Sequence, residues 1–140
     1  MGELLKMDFT VDGEDFTRAG EASSSLKKTL KQMGVDPEII RKTTIALYEG
    51  EINMVIHADG GMITAAVFDD KIDLTLRDKG PGIPDIELAM KEGYSTAPDN
   101  VRSLGFGAGM GLSNMKKYSD EFRIETELGV GTTVFMTVFM

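Results

Sequence analysis

Glu49, Asn53 and His57 stand at i, i+4 and i+8 in the stretch LYEGEINMVIH. At about 100° per residue they form one polar line along a helix. Ile45, Tyr48, Ile52 and Val55 form the neighbouring apolar stripe, so the line borders a buried face and belongs at the rim of a pocket. A carboxylate and a carboxamide one turn apart suit two tasks. The Asn53 carboxamide oxygen can ligate a hard cation such as Mg²⁺. The Glu49 carboxylate can take a proton or orient a nucleophile. The same spacing also fits a plain solvated helix edge. Glu51 points to another face and serves as the control position. His57, the sole His, fits local hydrogen bonding at the helix end in support of Asn53, and a catalytic part is the sharper alternative.

Two further stretches carry chemistry. DKGPGIP begins at Asp78, directly after an alternating strand pattern. Gly80 and Gly82 permit close backbone approach, and Asp78 can accept a hydrogen bond from a ligand donor. A plain Gly/Pro turn would read the same way. In LGFGAGMGL, Gly105, Gly107, Gly109 and Gly111 alternate just before a helical pattern. Backbone N–H groups at such a place can hold phosphate oxygens, although a flexible linker has the same composition. No Gly-Lys-Ser/Thr follows, which excludes a Walker A loop, and no βαβ unit surrounds it. Arg102 is either a bidentate phosphate donor or a solvated loop charge. Gly131-Thr132-Thr133 opens the last strand and alone marks only a turn.

The elements that must position these residues follow from periodicity. Met7, Phe9 and Val11 alternate within residues 4–12, as a half-buried strand does. Phe16, Ala19, Leu26, Leu30 and Met33 give a helical pattern from Glu14 to Met33, with Gly34 as its stop. Asp36 and Pro37 restart a helix as N-cap and first residue, and it runs to about His57 and Ala58. Residues 62–68 and 71–77 read as strands joined by a hairpin at Asp69-Asp70. A short helix is expected over 85–91, a lid-like loop over about 93–110, a helix over 110–118, and strands over 122–127 and 132–139. Helices grouped between hairpin-joined strands imply an α+β two-layer sandwich, a mixed, mostly antiparallel sheet with helices on one face.

The composition removes several classes. The 140 residues make one domain, 1–140. Fifteen Lys and Arg against 23 Asp and Glu give a net charge of −8, which disfavours binding to a phosphate backbone. The absence of Cys excludes disulfides and thiol chemistry, and a single His excludes multi-histidine metal sites. No apolar run approaches the roughly 20 residues of a membrane span, and no signal peptide is expected. The expectation is a soluble cytoplasmic protein with no direct nucleic-acid or membrane partner. The 10 Met fit as fillers of core gaps.

The order ExxxN on a helix, DxGxG after a strand, a glycine-rich loop before a helix, then GTT before a strand is more specific than any one of these motifs. Over roughly residues 36–137 it resembles the N, G1, G2 and G3 boxes of the gyrase, histidine-kinase and MutL ATPase superfamily. The resemblance implies the Bergerat ATP-binding fold, with ATP and Mg²⁺. Glu49 would match the general base, Asn53 the Mg²⁺ ligand and Asp78 the acceptor for the adenine amino group. Gly80 and Gly82 would match the adenine-side loop. Gly105, Gly107, Gly109 and Gly111 would match the phosphate lid, with Arg102 inside it, and Thr133 would match the Thr near the adenine.

Residues 1–35 hold no His and are too short for a phospho-accepting dimerisation helix pair, and no transducer domain is expected. The bare domain, GPGIPDIELAMKEGYST and KKYSDEF resemble the anti-sigma-factor serine/threonine kinases and related switch kinases of stress and sporulation pathways. That resemblance implies transfer of the ATP γ-phosphate to a Ser or Thr of a small anti-sigma antagonist protein. The lid run GFGAGMG is nearer to the switch kinases, whereas the ExxxNxxxH line is nearer to members that bind a sigma factor, so a sigma factor is a second partner class. Homodimers are common in the resembled group. The competing reading is an ATP-gated protein-binding module without kinase activity; the intact Glu49 favours the kinase.

Overall fold

In the computed structural model the described residues are 3–12, 20–57, 60–79 and 111–140. Alternation makes the strands. In β1 (Glu3–Asp12) Leu5, Met7, Phe9 and Val11 pack on the core. In β2 (Gly60–Phe68) Ile63, Ala65 and Val67 are buried, and in β3 (Lys71–Asp78) Ile72, Leu74 and Leu76 are. Asp69 and Asp70 turn between β2 and β3, as the hairpin reading requires. The last two strands are β4 (Glu121–Glu127) and β5 (Gly131–Phe139). The sheet order is β1-β2-β3-β5-β4. All four pairings are antiparallel, so the mostly antiparallel sheet is wholly so among the described strands. Edge strand β4 turns Glu121, Arg123, Glu125 and Glu127 outward, a row of charges that discourages edge-to-edge pairing.

The helices are α1 (Glu21–Gln32), α2 (Pro37–His57) and α3 (Gly111–Lys117). The helix expected from Glu14 is present over the α1 span, and residues 13–19 lie outside the described residues. Gly34, in left-handed conformation, follows the last turn of α1, and the Val35 N–H returns to the Leu30 carbonyl at 3.1 Å. The N-cap of α2 is as expected: the Asp36 carboxylate accepts the Glu38 N–H at 2.9 Å. The helix expected over 85–91 and the lid over 93–110 lie outside the described residues.

The core fills the space between the helices and one sheet face. Leu26 and Leu30 of α1, Leu47 and Met54 of α2, and Met115 of α3 meet the inward residues of the strands. α2 is the middle helix, flanked by α1 and α3. It lies close on β3 because residue 50 is Gly; a Cβ there would overlap the Leu76 side chain. Met54, Met115 and Met136 are buried gap-fillers, while Met33, Met62 and Met140 are exposed. No described helix is long and apolar enough to cross a membrane.

Candidate functional site

The close seat of α2 on β3 decides which residues meet. One turn beyond Gly50, Met54 reaches toward Gly61 of β2, which pairs with Asp78. The C-terminal half of α2 therefore lies over the sheet end that carries Asp78. Glu49 and Asn53, one turn apart on this half, are both half-buried.

Glu49 has a neighbour that sequence reasoning did not find. The Asn114 carboxamide of α3 donates to Glu49 Oε1 at 3.4 Å, a long and weak hydrogen bond. Burial pushes the Glu49 carboxyl above the ordinary carboxylate value, and the Asn114 bond partly opposes that. A carboxyl with raised proton affinity, still reached by solvent, can accept a proton from a substrate hydroxyl. The only sequence signal for Asn114 is its place three residues after Gly111; that α3 packs beside α2 is a tertiary fact.

Asp78 ends β3 on the helix-covered side, two steps beyond buried Leu76. Its Oδ1 accepts the Thr132 N–H at 2.9 Å. Gly131 makes that approach possible. Its φ is 151°, and a Cβ would overlap the Asp78 carbonyl oxygen. Thr132 is buried, and its hydroxyl lies 3.0 Å from that of Thr126. Thr133, the residue singled out by the GTT motif, faces the other way. It sits in register with Arg77 and Glu125 on the open side of the sheet. Period-two alternation thus puts Thr132, one residue earlier, beside Asp78.

Gly80, Gly82, Arg102, Gly105, Gly107 and Gly109 lie outside the described residues. Gly111 is the first residue of α3 and His57 the last of α2.

Glu51 does lie on another face from Glu49, but it is no indifferent control. It is only 3% exposed, and its carboxylate accepts three backbone N–H groups at the start of α1. These come from Gly20 at 3.0 Å, Ala22 at 3.1 Å and Ser23 at 2.7 Å. The α1 N-cap, Gly20, offers no side-chain cap of its own. A residue distant in sequence supplies the missing acceptor.

Comparison with known proteins agrees with this fold. The model for histidine kinase-, DNA gyrase B- and HSP90-like ATPases matches residues 41–140. The anti-sigma F factor of Clostridium acetobutylicum is 33% identical over 139 residues, covering 94% of this chain and 89% of that protein. Among solved structures, the RsbU and RsbW domains of a Mycobacterium tuberculosis protein superpose with a TM-score of 0.64 at 20% identity, over 96% of this chain and 32% of that one. The catalytic domain of histidine kinase ThkA gives a TM-score of 0.55 at 16% identity, over 97% of this chain and 96% of that one. Those two structural likenesses speak to fold alone. The chain belongs to the histidine kinase-, DNA gyrase B- and HSP90-like ATPase family, and along most of its length it is a relative of anti-sigma F factors.

Proposed function

We propose that this protein is an ATP-dependent serine/threonine kinase of the anti-sigma type, acting on a small anti-sigma antagonist protein. The observation that carries the reading is Glu49: half-buried, raised in proton affinity, and one helical turn from Asn53 above the sheet end of Asp78. The donor set fits a magnesium nucleotide. Among the described residues no group of three His, Asp or Glu side chains could hold a metal alone. Mg²⁺ commonly takes one or two protein oxygens and completes its shell with phosphates and water. The Asn53 carboxamide oxygen would be such a ligand.

ATP would supply the γ-phosphate as substrate. Glu49 would take the proton from the incoming Ser or Thr hydroxyl, the step at which a positioned base matters. Asp78 would accept the adenine amino group beside the Thr132 N–H, since a carboxylate has about four lone-pair sites. Thr132 takes the place near the adenine that the motif gave to Thr133. Gly80 and Gly82 would line the adenine side. Gly105, Gly107, Gly109 and Gly111, with Arg102, would close over the phosphates. The 33% identity to an anti-sigma F factor supports the partner class, with a sigma factor as a second binding partner.

The test is incubation with labelled ATP, Mg²⁺ and the small proteins encoded beside it, followed by phosphosite mapping. Label on one Ser or Thr of one such protein, lost with Glu49→Ala, is expected. ATP-dependent partner affinity with no label on any partner would establish the binding module instead.

A further inference from the structure

α1 and α2 form a helical hairpin with a groove of about 470 Å³ on its solvent side. That volume is in the range, roughly 300–1,000 Å³, of clefts that bind something. The floor is apolar, with Ile40 and Ile45 of α2. The α1 rim is cationic, with Lys27 and Lys31. Arg41 stands on the α2 rim, where its guanidinium is held by Glu38 at 2.8 Å and lies over the Tyr118 ring. Among the described residues no carboxylate reaches ion-pair distance of Lys27 or Lys31. Thr44 also lines the groove, and its hydroxyl is buried without a hydrogen-bond partner.

We propose that this groove is a docking site for an acidic amphipathic helix of a partner protein. Charge complementarity identifies the occupant. The chain carries a net charge of −8, yet the groove's α1 rim is cationic. Lys27 and Lys31 are i and i+4, so their ammonium groups line one side of the groove about one helical turn apart. Two carboxylates at i and i+4 on a third helix match that spacing, and its apolar residues would cover Ile40 and Ile45. A helix laid into a groove between two others is a recurrent recognition mode. The buried Thr44 hydroxyl would gain a polar partner from the same helix. The surface is separate from the nucleotide site and does not rest on the kinase reading.

The test uses a fluorescent 16-residue helical probe with Glu at i and i+4 and Leu on the adjoining face, and a second probe with Gln replacing each Glu. Fluorescence anisotropy without nucleotide should show the Glu probe binding at least tenfold more tightly than the Gln probe, with affinity falling as salt rises. The double variant Lys27→Glu/Lys31→Glu should lose at least tenfold for the Glu probe while its circular dichroism and thermal unfolding stay as in the parent. Equal binding of the two probes, absence of binding, or undiminished binding by the double variant would overturn the proposal. So would a dimer in sedimentation that the double variant abolishes, since a second copy would then be the occupant.

Discussion

The Asn114 carboxamide of α3 and the Glu49 carboxylate of α2 meet at 3.4 Å, which ties the helix after the glycine-rich segment to the proposed base. Asn114 favours the ionised form that burial disfavours. Asn114→Ala should therefore raise the Glu49 carboxyl further and move the acid limb of the pH–rate profile to higher pH. The rate at neutral pH should fall about 2- to 10-fold, in keeping with a bond worth roughly 0.5–1.5 kcal/mol. Partner phosphorylation measured across pH decides it; an unmoved limb would show that Asn114 does not position the base.

Glu49→Gln should separate chemistry from binding. Phosphoryl transfer should drop by roughly 10²–10⁴-fold, the usual cost of losing a general base, with nucleotide affinity by calorimetry almost unchanged. The same change should stabilise the fold at neutral pH. The raised carboxyl of the folded state holds its proton to higher pH than in the unfolded chain. Stability then falls as pH rises from the ordinary carboxylate value through the raised one. Glu49→Gln removes that fall, and below the window the two proteins should unfold alike. Urea titrations at acid and neutral pH that show no such crossover would contradict the assignment.

Asp78→Asn should lower adenine-nucleotide affinity by roughly 10- to 100-fold, the worth of a charge-assisted hydrogen bond at about 1.5–3 kcal/mol. Gly131→Ala should disturb the same spot through the backbone. Its φ of 151° and the nearby Asp78 carbonyl leave no place for a methyl group. A loss of about 1–3 kcal/mol is expected from such strain, read by thermal unfolding. Nucleotide affinity unchanged in Asp78→Asn would remove Asp78 from the site.

Glu51→Ala should destabilise the protein by about 2–3 kcal/mol, more than an ordinary cap, because buried N–H donors lose their acceptor together. Glu51→Gln, which keeps one carbonyl oxygen, should lose less. Denaturant unfolding provides the comparison, and an Ala variant as stable as the parent would mean that water replaces the carboxylate.

Much of this arrangement is legible in the residues. Alternation marks β1 and β3, apolar runs mark β2 and β5, Asp36-Pro37 marks the start of α2, and the ExxxN spacing sets Glu49 and Asn53 on one line. What escapes is tertiary. Glu51 reads only as a control position on another helix face, because nothing local shows that the start of α1 lacks an acceptor. Asn114 sits in a short helix whose partner face depends on how α3 docks on α2. The pair Thr132-Thr133 differs only by strand parity, and parity is fixed by the buried Val134 and Met136 further along β5.

The remote cap has a kinetic meaning. Gly20 and its acceptor Glu51 are 31 residues apart, so the first turn of α1 cannot be completed until the middle of α2 exists. α2 carries its own cap at Asp36 and can start alone. Refolding should therefore proceed with α2 in the nucleus and the N-terminal turn of α1 joining late, with φ-values low at Ala22 and Ser23 and higher along α2. On a growing chain, the helix synthesised first must wait, unfinished, for one that leaves the ribosome after it.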